Sequence, residues 1–149
     1  MLLKEFFEQF FLCFFPAWAA RFDFGELTWL DKEMFLAFLD DSLAGRIILS
    51  AGWNRYAWVE DLTVDARRRR AGIGRALMDR AIAWAVERGL PGIRLETQNN
   101  NVPACKFYES CGFRLGGFDR DLYRGLDEAT TEIALFWYLP LFESGDVSH

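Results

Sequence analysis

A chain of 149 residues can build one hydrophobic core but not two. Its hydrophobic content of 52% and aromatic content of 17% exclude a disordered chain, and a formal net charge of −5 disfavours nucleic acid as a partner while suiting a cationic substrate. The three cysteines, Cys13, Cys105 and Cys111, lack metal-ligand spacing, and the one histidine is the terminal His149. No metal site and no Ser-His or Cys-His nucleophile is therefore expected, and a reduced, cytoplasmic protein is the simplest reading.

In residues 1–20, Phe6, Phe7, Phe10, Phe11, Phe14 and Phe15 recur at helical spacing with Lys4, Glu5 and Glu8 between them. That is the pattern of an amphipathic helix needing a partner surface. Glu5 and Glu8 argue against a secretory signal, although Ala17-Trp18-Ala19 resembles a cleavage site, and the apolar run is too short to span a membrane.

Residues 34–39 and 46–50 read as a hairpin around the acidic turn Asp40-Asp41, with Gly45 just before the second strand. The turn Gly52-Trp53-Asn54-Arg55 then leads into a third antiparallel strand, residues 56–64. Residues 75–88 are predicted to be a helix with an apolar face of Leu77, Met78, Ala81, Ile82, Ala85 and Val86, stopped by Gly89. Residues 93–98 form the next strand, with Ile93, Leu95 and Thr97 on one face and Arg94, Glu96 and Gln98 on the other. A right-handed crossover makes it parallel to the third strand. Asn101 and Pro103 open a helix over residues 104–111, Gly112 ends it, and Phe113 re-enters a strand. Residues 132–139 complete the sheet. The Phe stripe and the apolar late strands point to a homodimer.

Between the third strand and the first long helix lies Arg67-Arg68-Arg69-Arg70-Ala71-Gly72-Ile73-Gly74-Arg75. A strand, a glycine-bearing turn and a helix N-terminus bring unpaired backbone N–H groups to one spot, which attracts phosphate. A Walker loop is excluded because Arg75 and Ala76 follow Gly74, and the dinucleotide fingerprint because Leu77 occupies its third glycine position. On this stretch alone, a basic loop capping an ordinary surface helix stays equally open.

Arg-x-x-Gly-x-Gly from Arg69 to Gly74 resembles the acyl-CoA pyrophosphate loop of the GNAT superfamily of N-acetyltransferases. A second motif in the matching order adds weight. Asn101-Val102-Pro103-Ala104-Cys105-Lys106-Phe107-Tyr108, followed by Gly112-Phe113, is similar to that superfamily's Asn, Ala, Phe-Tyr and Gly-Phe signature. Leu95-Glu96-Thr97-Gln98-Asn99-Asn100-Asn101, Gly116-Gly117-Phe118-Asp119 and Phe136-Trp137-Tyr138 narrow the resemblance to the streptothricin (nourseothricin) acetyltransferases, over residues 34–139.

The resemblance implies an α/β GNAT fold, with a mixed, mostly antiparallel sheet flanked by helices, in a single domain whose N-terminal part is abbreviated to residues 1–32. It implies acetyl-CoA as co-substrate, no metal, and a primary amine as acceptor, such as a β-lysine amine of a streptothricin. Residues Arg69, Arg70, Ala71, Gly72, Ile73 and Gly74, with Arg75 nearby, would bind the pyrophosphate, and Asn101 the cofactor arm. Leu62, Thr63 and Val64 would pair with the pantetheine as a pseudo-strand and polarise the thioester carbonyl. Tyr108 matches the position of the general acid, although it also reads as a core aromatic beside Phe107. Glu60 is the first candidate for the base and Glu96 the alternative, with Asp61 facing away from Glu60 in a regular strand. Acceptors other than streptothricin, such as a protein lysine, and an inactive CoA-binding module fit the same motifs.

Overall fold

A computed structural model of the chain divides between Asp31 and Lys32 into two units, and residues 32–142, in the second of these, are described. The Phe-rich helix and the abbreviated N-terminal part expected from the sequence lie outside the described residues.

Six strands form one sheet in the order β1-β2-β3-β4-β6-β5. The first two, β1 (Lys32–Leu39) and β2 (Ser42–Ala51), are joined by Asp40 and Asp41, both left-handed with φ of 50° and 59°. This is the two-residue turn whose twist matches a hairpin, and Asp tolerates it better than most residues. Because the turn is so tight, β2 starts at Ser42, and Gly45 lies inside the strand, where its Cα faces the carbonyl of Thr63 and the side chain of Ile73.

The third strand, β3 (Ala57–Val64), is antiparallel to β2, and β4 (Gly92–Gln98) is parallel to β3. Between them runs α1 (Ile73–Glu87). A second helix, α2 (Val102–Ser110), leads to β5 (Arg114–Asp119), and β6 (Ala134–Pro140) inserts antiparallel between β4 and β5. One parallel pair in an otherwise antiparallel sheet flanked by helices is the mixed α/β architecture expected.

Leu77, Met78, Ala81 and Trp84 of α1 bury against Ile47, Leu49, Ala57, Val59, Ile93 and Leu95 of the sheet. Each large side chain removed from water there contributes about 1.5–3 kcal/mol. The helical face differs from the expected one by one position: Trp84 is buried and Val86 is 51% exposed. Trp84, the larger apolar side chain, takes the place in the core expected for Val86.

Two irregularities shape the sheet. Ile48 pairs with Asp61 but Leu49 pairs with Val59, so Glu60 is the extra residue of a β-bulge. Further, β3 and β4 pair only through Ala57 with Ile93 and Trp58 with Arg94, and beyond those pairs the two parallel strands part. In the wedge so opened, Leu62 and Val64 of β3 border a cleft shared with the N-terminus of α1 and with α2.

Candidate active site

Asp65, just after β3, accepts hydrogen bonds from the amide and guanidinium of Arg67, which hold its carboxyl below the usual range. Arg68 donates to the carbonyl of Leu39 at 3.0 Å. These contacts occupy the first two members of the arginine run. Arg69 and Arg70 make no ion pair or hydrogen bond among the described residues, and both line a cleft of about 530 Å³.

The turn into α1 needs glycine at one place above all. Gly72, the residue before the helix, has φ of 79° and no side-chain cap, and its carbonyl takes the first helical hydrogen bond, from Ala76. The amides of Ile73, Gly74 and Arg75 thus open the helix without intrahelical acceptors. Gly74 also brings α1 against α2, since a Cβ there would lie 3.3 Å from the Phe107 ring. Unpaired guanidiniums and open amides thus border one cleft, an arrangement that attracts anions.

From there the cleft runs along Leu62 and Val64 of β3 to Asn101, Phe107 and Tyr108 of α2. Asn101 caps α2 by accepting from the amide of Ala104 at 3.3 Å, and it lines the cleft as well. Arg75 lines it too, while its guanidinium donates to the carbonyl of Ser110. Ala71 and Thr63 are exposed beside the cleft, with the Thr63 hydroxyl turned to Asp61 at 3.1 Å.

Three ionisable groups interact at the Tyr108 end of the cleft. The Tyr108 phenol is pushed up to about 12 by burial first and then by the negative charge of Asp61, with Cys105, Cys111 and Glu96 adding to it. Glu96 is half-buried on β4, makes no hydrogen bond or ion pair among the described residues, and burial raises its carboxyl above the ordinary 4.5. Asp61 accepts from the guanidinium of Arg46 at 2.8 Å.

The two carboxylates of β3 sort differently from the expectation for a regular strand. Glu60, the bulged residue, is exposed and ion-paired with Lys32. The bulge breaks the alternation, so Val59 and Leu62, three residues apart, both pack on the core, while Asp61 and Thr63 share the face of Arg46. Tyr108 lines the cleft with the loop residues, and Asp61 and Glu96 lie near enough to act on its phenol; Glu60 is turned to Lys32 instead. Arg46 went unnoticed in the sequence, where its signal was a lone cation in an apolar strand: only 5% exposed, it requires a carboxylate across the ladder and finds Asp61. Among the described residues no cluster that could hold a metal occurs.

Residues 3–113 match the profile of the acetyltransferase (GNAT) family. The streptothricin acetyltransferase of Escherichia coli is 44% identical over 108 residues, covering 72% of this chain and 62% of that protein. A Bacillus anthracis protein named as a streptothricin acetyltransferase, crystallised with acetyl coenzyme A, superposes with a TM-score of 0.72 at 49% identity, covering 74% of this chain and 62% of its own. The crystal structure of nourseothricin acetyltransferase gives 0.69 at 43% identity, over 74% of this chain and 65% of that one. The chain therefore spans about three fifths of the length of these relatives. The profile match and the sheet with its single parallel pair agree: this chain belongs to the GNAT family of acetyltransferases.

Proposed function

We propose that this chain is an acetyl-CoA-dependent N-acetyltransferase whose acceptor is a primary amine of a streptothricin-type cation, with residues 34–139 as its transfer core. The observation that carries the reading is the continuous cleft from the free Arg69 and Arg70 guanidiniums to Tyr108. The names of its relatives supply the acceptor.

Acetyl-CoA supplies the acetyl group already activated as a thioester. The amides of Ile73, Gly74 and Arg75, with Arg69 and Arg70, hold its pyrophosphate. Residues 62–64 offer the pantetheine arm a strand edge that β4 leaves open beyond Trp58. Glu96 removes the proton that an acceptor ammonium carries at neutral pH, a role for which an unpartnered, half-buried carboxylate with a raised pKa is suited. Tyr108 keeps its proton throughout the neutral range and donates it toward the leaving thiolate. Asp61, hydrogen-bonded to the Arg46 guanidinium, adds negative charge that draws a cationic amine into the wedge. Burial raises the Cys105 thiol, which fits direct transfer without an enzyme-bound acyl group. The cytoplasm, where acetyl-CoA is made and used, is the compartment this reading requires.

The test is release of free CoA thiol by the purified chain with streptothricin, beside a lysine peptide, with mass analysis of the acceptor. Streptothricin-dependent release and a monoacetylated antibiotic support the reading. Release with the peptide alone would reassign the acceptor, and CoA binding without release from either would leave a binding module.

A further inference from the structure

The sheet ends at β5, which pairs with β6 on one side and with no described strand on the other. An open strand edge displays unpaired N–H and C=O groups, and proteins usually blunt such edges with charge or proline. This one is left apolar in its middle: Leu115 is 50% and Phe118 60% exposed. Leu122 and Leu126, just beyond the strand, extend the apolar surface.

The strand reads Arg114-Leu115-Gly116-Gly117-Phe118-Asp119, which is charge, apolar, glycine, glycine, apolar, charge, with opposite signs at its two ends. Run antiparallel to itself, it is self-complementary. A regular strand could not use that symmetry within a continuous sheet, because Leu115 and Phe118, three residues apart, would point to opposite faces. The bulge at Gly116 removes the obstacle. Leu115 pairs with Trp137 and Phe118 with Leu135, two residues apart on β6, so both side chains share one face. Arg114 pairs with Tyr138 and Asp119 with Ala134, four residues apart, so these two share the other face.

We propose that β5 is a homodimer edge, on which a second copy of this chain pairs antiparallel about a two-fold axis between Gly116 and Gly117. Arg114 then lies opposite Asp119 of the partner subunit, and Leu115 opposite Phe118 of the partner subunit. By symmetry each contact occurs twice, giving an apolar cluster of four side chains on one face and two ion pairs on the other. Asp119 can serve both its own turn and the partner, because its Oδ1 accepts from the amides of Asp121 and Leu122 at 2.8 and 3.1 Å, leaving Oδ2 for a guanidinium. Gly116 and Gly117 meet at the axis, where no side chain obstructs the approach of the two backbones.

Sedimentation equilibrium of the full chain tests this, with circular dichroism to confirm that each variant is folded. Wild type is expected at twice the chain mass at micromolar concentration. Phe118→Lys removes both apolar pairs and Arg114→Glu sets two like-charged pairs face to face, so each should weaken the dimer about tenfold or more. Register is read by oxidation: Leu115→Cys combined with Phe118→Cys should give a covalent dimer, and neither single cysteine variant should. A wild-type monomer throughout the range, a dimer that neither Phe118→Lys nor Arg114→Glu weakens, or a dimer without the cross-link would overturn the proposal.

Discussion

The guanidinium of Arg75 donates to the carbonyl oxygen of Ser110 at 3.1 Å, joining the first turn of α1 to the last turn of α2. One end of this bond lies at the cleft beside Gly72 and Gly74; the other lies two residues from Tyr108. Arg69 and Arg70 line the same cleft but join nothing to it. The three arginines should therefore separate kinetically. The double variant Arg69→Ala/Arg70→Ala should raise KM for acetyl-CoA about tenfold and flatten its salt dependence, with kcat and Tm unchanged. Arg75→Ala should lower kcat several-fold as well, and cost about 1 kcal/mol of stability for the lost bond. Steady-state kinetics at two salt concentrations, with thermal melts, read both effects.

Tyr108 ionises near 12 in the folded chain, against an ordinary value of 10.0. The fold favours its protonated form, so its contribution to stability is complete below about pH 10 and is lost as pH rises toward 12. Tyr108→Phe should lower kcat about a hundredfold with KM for acetyl-CoA nearly constant. Melts of the two proteins should run in parallel at neutral pH, and only wild type should lose the additional stability above pH 10.

Glu96 carries a stability cost that follows from its burial. Burial raises its carboxyl above 4.5, so the folded chain binds that proton more tightly than the unfolded chain does. Wild type therefore loses stability as pH climbs through the interval above 4.5. Glu96→Gln should melt with wild type below that value and above wild type at pH 7, while losing activity. A variant less stable than wild type at pH 7 would show that the carboxylate has a structural partner.

Periodicity revealed most of this fold. The alternation of Ile93, Leu95 and Thr97 with Arg94, Glu96 and Gln98, and the helical spacing after Gly74, fixed the strand, helix, strand unit that frames the cleft. The turn into α1 was equally legible, because a glycine with positive φ and a helix start are local features. What escaped depends on cross-strand register. The bulge at Glu60 arises from how β2 and β3 pair, so no count along β3 alone could show that Glu60 leaves the wedge for Lys32 while Asp61 turns to Arg46. The same holds for Asn99, which is clamped at both its amide and its side chain by the backbone of Ile133, 34 residues away.

Acceptor-dependent thiol release by Glu96→Gln and Glu60→Gln, measured side by side with streptothricin, tests most directly whether transfer occurs in the wedge. The account predicts a loss of about a hundredfold or more for Glu96→Gln and near wild-type turnover for Glu60→Gln. The reverse order would place the base on the exposed side of β3 and contradict it.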